Sequence, residues 1–246
     1  MDQGYLKDET ESKAFKDGTM YRSGVGALMY IAVCARSDIM TSAAILGRKF
    51  SSPTEADWTA AKRVVRYLKN TKTWKLKLGG GSNDELVAFS DSDWAGDKST
   101  RKSTTGTVVY YGGGVVSWSS RRQECVTLST MEAEYVALAE TCQEVIWLRR
   151  LLEDFGVKQK TATVVNEDNQ GCLSFVKSER STKRSKHIET KHHFVKDLCD
   201  REEVVLKYCP TNEMNADILT KPLGLVKHYH FSASLGLFGE KQEANH

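Results

Sequence analysis

The chain has 246 residues, 40% of them hydrophobic and 27% charged, with a formal net charge of +3. This is ordinary globular composition with length for one large domain or two modest ones, and a charge this small does not by itself indicate a polyanionic partner. The longest apolar run, Gly24 to Ala35, is too short to cross a bilayer, the polar opening MDQGYLKDETE is not a secretory signal, and six cysteines without CxxC or zinc spacing read as reduced thiols of an intracellular protein.

Residues 1–19 lack apolar periodicity and read as a linker or arm. SGVGALMYIAVCA and DIMTSAAILGRKF form two apolar helical segments split at Arg36–Ser37. A third helix is expected to start with Ser52 as cap, Pro53 in the first helical position and Glu55 completing a capping box. Trp58, Ala61, Val65 and Leu68 form its apolar stripe, and Lys62, Arg63, Arg66 and Lys69 a basic face that is either a solvated side or a phosphate-contacting one. TWKLKL alternates as a short strand would. GGGSNDE, 79–85, is the candidate boundary.

Beyond it, LVAFSD reads as a strand, and STTGTVVYY and VVSWSS as a hairpin joined at Gly112–Gly114. A helix over 130–153 carries Tyr135, Leu138, Cys142, Val145 and Leu152 on one stripe. TATVVN is a strand, NQGCLSFVK and KHIETKHHFVKDLC are helices, EVVLKYC is a strand and ADILTK begins a last helix. Strands reached through helices imply parallel pairs, so this order predicts an α/β fold with a mixed sheet, its first three strands antiparallel and its last two parallel.

Carboxylates recur at element ends. Asp91 ends the first strand, Glu132 lies in the first turn of the long helix, Asp168 follows TVVN and Asp217 opens the last helix. If the strands at 87–91 and 162–167 are parallel neighbours, Asp91 and Asp168 lie side by side, which raises one pKa unless a cation holds both ionised. Oxygen-only donors suit Mg²⁺ or Mn²⁺, and four carboxylates around two such ions, about 3.5–4 Å apart, make a phosphodiester hydrolysis site. Each residue also has an ordinary structural role open to it: Asp217 and Glu132 favour helix starts, Asp168 can cap, and Asp93 and Asp97 can form the turn after Asp91.

Five ordered motifs carry a family resemblance: SDSDWAGDKSTRKSTTG (90–106), SWSSRRQECVTLSTMEAEYVAL (117–138), EDNQGC (167–172), SKHIETKHHFVKD (185–197) and YCPTNEMNADILTKPL (208–223). They resemble the ribonuclease H domain of copia-type (Pseudoviridae) retrotransposon Pol polyproteins. MDQGYLKDE, YRSGVGALMYIAVCARSDI and AAKRVVRYLKNT resemble the thumb or connection region of the same reverse transcriptases. The resemblance implies a linker at 1–19, a helical region at 20–80, a ribonuclease H-like domain at 81–236 with a five-stranded sheet, and a tail at 237–246. It implies a four-carboxylate site of Asp91, Glu132, Asp168 and Asp217. Helix geometry alone leaves Glu132 and Glu134 open, since they point about 200° apart; the family pattern selects Glu132.

The implied activity is metal-dependent hydrolysis of the RNA strand of RNA–DNA hybrids during reverse transcription, with two Mg²⁺ or Mn²⁺ ions. One ion would lie between Asp91 and Asp217 and the other nearer Glu132 and Asp91. The alternative is a non-cleaving hybrid-binding module or a host-adopted interaction protein. Between Lys177 and Lys196 stand seven Lys and Arg against two Glu. Arg101, Lys102, Arg121, Arg122, Lys183, Arg184 and Lys186 are the candidate contacts to a hybrid backbone. Trp94 and Trp118 are expected to pack in a core, with base stacking as the alternative, and His187, His192 and His193 to form a helix face with some packing. The other reverse transcriptase domains are the further implied partners, with no membrane, and a cytoplasmic virus-like particle or the nucleus is the implied compartment. Two family features are missing: the loop before Asp217, CPTNEMNA, has no histidine, and no YxDD-type polymerase motif occurs.

Overall fold

A computed structural model describes residues 12–81, 84–178 and 186–239, without the side chains of 186–189. Its elements run α1 (Gly18–Cys34), a 3₁₀ turn (Ser37–Ile39), α2 (Met40–Gly47), α3 (Glu55–Asn70), β1 (Lys75–Leu76), β2 (Val87–Asp93), β3 (Thr104–Tyr111) and β4 (Gly114–Arg122). They continue with α4 (Thr130–Asp154), β5 (Thr163–Glu167), α5 (Gln170–Lys177), α6 (Lys186–Asp200), β6 (Val204–Tyr208), a 3₁₀ helix (Asn215–Leu219), α7 (Leu225–Ser234) and β7 (Leu237–Phe238). The described residues form two compact units, one of residues 12–77 with 221–239 and one within Leu78–Thr220.

The second unit is the expected mixed sheet, in the order β4-β3-β2-β5-β6. β2, β3 and β4 pair antiparallel, and β5 lies parallel to both β2 and β6. Gly112 and Gly113, both at positive φ, close the β3–β4 hairpin, the backbone sign that a two-residue turn matching strand twist requires. The stripe of α4 is buried as its spacing predicts: Tyr135, Leu138, Cys142 and Val145 pack with Ala88, Val109, Val165, Val195 and Leu198 in one core. The six cysteines are unpaired, and burial pushes the thiols of Cys142 and Cys172 up.

In the first unit, Asp17 caps α1 by accepting from the N–H of Met20 at 2.8 Å. The start of α3 lies two residues later than expected: Thr54 is the cap and Asp57 completes its capping box. Pro53 and Thr54 are held extended against residues 14 and 15, with the Phe15 N–H donating to Pro53 O at 2.9 Å and Ala14 bridged to Thr54. Helical backbone therefore cannot begin at Pro53, and part of the expected arm is paired chain. The buried face of α3 is Ala60, Ala61 and Val64, while Val65 is 53% exposed. The basic side chains Lys62, Arg63, Arg66 and Lys69 are all exposed.

Residues 221–239 belong to this helical unit, so the expected ribonuclease H-like range of 81–236 is shorter at its end. The reason is pairing. β7 pairs with β1, and the N–H of Lys77 donates to Gly236 O at 2.8 Å. Tyr229 stacks at a tilt on Trp74, and a ring nitrogen of His228 lies 3.0 Å from Asp38 O. Asp38 in turn takes two guanidinium N–H bonds from buried Arg36 and the Tyr67 hydroxyl at 2.6 Å. Burial, then Asp38, pushes the Tyr67 hydroxyl up, and burial pushes His228 down.

Phe231, Leu235 and Leu237 are each almost fully buried, so ending the chain at Thr220 should strip the helical unit of core. Hydrogen exchange checks this: amides of α1 to α3 should lose protection while β2 to β6 keep theirs. Equal protection in α1 to α3 with and without 221–246 would refute the assignment.

Candidate metal centre

Parallel register brings two of the expected carboxylates together. The last β2–β5 pair is Phe89 with Asn166, and two residues beyond each stand Asp91 and Asp168. Both strands reach that level with their carboxyl ends, where sites on such sheets form. Asp91 is 2% exposed and Asp168 is half-buried. Asp168 accepts the Thr211 hydroxyl at 2.7 Å. The capping role open to it belongs to its neighbour: Asn169 accepts from the Cys172 N–H at 2.9 Å.

The third carboxylate is Glu134, not Glu132. Ser129 caps α4, and the Glu132 carboxylate turns back to accept the Leu128 N–H at 2.8 Å. Glu134, two positions on, is buried, and one carboxylate oxygen from each of Asp91, Glu134 and Asp168 lies within 4.8 Å of the others. The signal was in the sequence. Ser129-Thr130-Met131-Glu132 has the capping-box spacing, which assigns Glu132 to the backbone and leaves Glu134 for the sheet side.

Asp217 is buried on the 3₁₀ helix that packs on β2 and β3, outside this group of three. A full helix was expected here. The segment closes instead as 3₁₀, and the Thr220 N–H returns to Asp217 O. Pro222 follows and disfavours helical backbone at Lys221. Thr220, not anticipated from the sequence, donates its hydroxyl to Asp91.

Glu167 was also not anticipated. It is fully buried, Oε1 accepts the Asn169 N–H at 3.1 Å, and Oε2 meets no hydrogen-bond partner among the described residues. Burial, then the charge of Glu134, with Asp168 and Asp91 adding to it, holds its carboxyl well above the usual carboxylate range. A pocket of carboxylate oxygens whose field opposes one more negative charge fits a hard divalent cation, which takes oxygen donors alone.

The remaining aspartates of the 89–97 stretch build its turn. Asp93 accepts from the Thr104 N–H and hydroxyl. Asp97 accepts the backbone N–H groups of Ser99 and Thr100, each at 3.1 Å, and pairs with Arg122 at 3.0 Å. Trp94 is 50% exposed, with its indole N–H on Thr127 O at 3.3 Å, so it is not the core residue expected; that bond holds the ring over the loop before α4. Trp118 is half-buried. Arg101 and Arg121 are exposed and Lys102 half-buried, while Lys183 and Arg184 lie outside the described residues and Lys186 opens α6. His192 packs on Phe175, ring centres 4.8 Å apart.

This strand order, with carboxylates gathered at the ends of its central strands, defines a ribonuclease H-like fold. No family model matches the chain. It is 41% identical over 201 residues to the retrovirus-related Pol polyprotein from transposon TNT 1-94 of Nicotiana tabacum, covering 82% of this chain and 15% of that one. It is 36% identical over 221 residues to the Pol polyprotein from transposon RE2 of Arabidopsis thaliana, covering 90% and 15%. A solved structure, LC11-RNase H1 in complex with RNA/DNA hybrid, aligns at TM-score 0.40 and 14% identity over 55% of this chain and 94% of that one. The chain belongs to the copia-type retrovirus-related Pol polyproteins of transposons, and it spans 15% of the length of these two curated relatives. Among the described residues no helix is long and apolar enough to cross a membrane.

Two outcomes follow from the packing and the charges. A Cβ on Gly106 would lie 2.7 Å from the Thr220 methyl, 2.9 Å from Ala216 O and 3.1 Å from the Leu219 Cβ. Gly106→Ala should therefore cost about 1–3 kcal/mol in urea unfolding, the range for overpacking; an unchanged midpoint would show the 3₁₀ helix shifts freely. Glu167→Gln removes a carboxyl that titrates higher folded than unfolded. The wild-type chain thus takes up a proton on folding, with stability that is present below the unfolded value of about 4.3 and lost as pH rises toward the folded one. In EDTA the variant should be more stable, by a margin that widens with pH over that window, and a pH-independent margin would contradict the charge argument.

Proposed function

We propose that this chain is the ribonuclease H part of a retrotransposon Pol polyprotein and hydrolyses the RNA strand of RNA–DNA hybrids during reverse transcription. The observation that carries the reading is the convergence of oxygens from Asp91, Glu134 and Asp168 at the ends of β2 and β5. These three, with Asp217 from the 3₁₀ helix, are the residues that would hold divalent ions, Mg²⁺ or Mn²⁺, two in number. Bound there, such ions supply an activated water and charge stabilisation for the leaving 3′-oxygen.

The chain's own residues do the rest. Asp91 and Asp168 fix the site to the rigid sheet. Glu134 closes it from α4, and Glu132 anchors the start of that helix without touching the reacting groups. Products would carry 3′-hydroxyl and 5′-phosphate ends. Arg101, Lys102, Arg121 and Arg122 flank the hairpin and would neutralise hybrid phosphates, reading groove shape and 2′-hydroxyls and not sequence. Lys183, Arg184 and Lys186 would extend that contact. The other reverse transcriptase domains are the protein partners in this reading, and a virus-like particle its compartment.

Cleavage of an end-labelled hybrid in Mg²⁺ and in Mn²⁺ tests the proposal. Wild type should cut the RNA strand, and Asp91→Asn and Glu134→Gln should each lower kcat by at least about a thousandfold, the loss of several kcal/mol of transition-state stabilisation. Glu132→Ala should cut within about tenfold of wild type and lose about 1 kcal/mol of stability, the net worth of one hydrogen bond. Metal-independent hybrid binding with no cutting by wild type would replace this reading with a non-cleaving module.

A further inference from the structure

The hydroxyl of Thr220 sits between two parts of the site. It donates to Asp91 Oδ2 and lies 3.2 Å from the carbonyl oxygen of Asp217. A hydroxyl has one proton, and the carboxylate, being charged and nearer, is the stronger acceptor. The side chain is 2% exposed, so water does not compete for that proton. Its methyl lies directly over Gly106, the residue opposite Asp91 in the β2–β3 register. A β-branched side chain seated this way has little rotamer freedom. Both contacts follow from one backbone event, the 3₁₀ closure that places Thr220 at the end of the helix bearing Asp217.

We propose that Thr220 is a positioning residue: its hydroxyl orients the Asp91 carboxylate for the cation and couples Asp91 to the segment that carries Asp217. The proposal rests on the reading of the site as a metal-dependent nuclease and adds to it the element that holds the first and last carboxylates in one frame. The methyl sets the rotamer and the hydroxyl sets the carboxylate. The two contributions are separable, because valine keeps the shape and loses the hydrogen bond, whereas serine keeps the hydroxyl and loses the methyl.

The test measures Mn²⁺ binding by calorimetry and hybrid cleavage for the whole chain and for Thr220→Val and Thr220→Ser. Thr220→Val should bind Mn²⁺ about tenfold to a hundredfold more weakly, the usual effect of removing a partner of a metal ligand. Its cleavage should need proportionally more Mn²⁺ at an unchanged KM for hybrid. Thr220→Ser should recover most of the affinity. If the valine variant melts early, Thr220→Ala, which lacks both hydroxyl and methyl, gives the share of the hydroxyl by comparison with Thr220→Ser. Wild-type Mn²⁺ affinity in Thr220→Val, or equal losses in the serine and valine variants, would overturn the proposal. Mn²⁺ binding by wild type without cleavage would sink the nuclease reading while the affinities still decide the role of Thr220. No Mn²⁺ binding by wild type would overturn both.

Discussion

Repulsion among like charges is the constraint on which the ribonuclease H-like unit depends. Two unit charges within 4.8 Å of each other repel by at least about 3 kcal/mol at an effective dielectric near 20. Three such pairs, fully ionised, approach the whole stability of an ordinary domain, about 5–15 kcal/mol. Side chains free to move would separate. Asp91, Glu134 and Asp168 stay together because each is fixed by backbone that has other reasons to be where it is. Burial first, and then the same field, pushes the neighbouring Glu167 carboxyl up.

The other reasons are apolar. β2 and β5 lie in the middle of the sheet, and Ala88 and Val165 on them pack with Tyr135, Leu138 and Cys142 of α4. Burial of these side chains fixes register, and a shift of one residue would send each strand's side chains to the opposite face. The 3₁₀ helix reaches the sheet because Gly106 has no Cβ, and Ala216 and Leu219 are fully buried at that contact. One missing methyl on β3 thus admits the segment that brings both Asp217 and Thr220.

Features set by local chemistry were legible in the sequence. Alternating β-branched runs located the strands, the glycines at 112–114 the hairpin, and chain order the parallel pair that juxtaposes Asp91 and Asp168. Features set by distant partners were not. The start of α3 depends on residues 13–15, some 40 positions away, which hold Pro53 and Thr54 extended. The return of 221–239 to the helical unit depends on β1, Trp74 and Asp38, and no periodicity in LVKHYHFSAS announces those partners. Trp94 departs from expectation because an aromatic after a strand end reads as core, while its indole is held at the surface by one carbonyl of the next loop.

Glu132 and Glu134 show why a family pattern and a capping rule must be weighed together. On an α-helix they are about 200° apart, so they cannot serve one site. The first turn of α4 needs acceptors for its free N–H groups. Ser129 supplies one, to Glu132 N, while the Glu132 carboxylate reaches back past the cap to Leu128 N and ties the preceding loop to the helix. That pairing fixes the residue at which the helix begins. The phase of Glu134 comes from the core, because Tyr135, Leu138, Cys142 and Val145 of the same helix are buried together and each residue turns about 100° from the last. Glu132 therefore anchors the helix start while the buried stripe aims Glu134, which gives Glu132 a stabilising role distinct from any part in the chemistry.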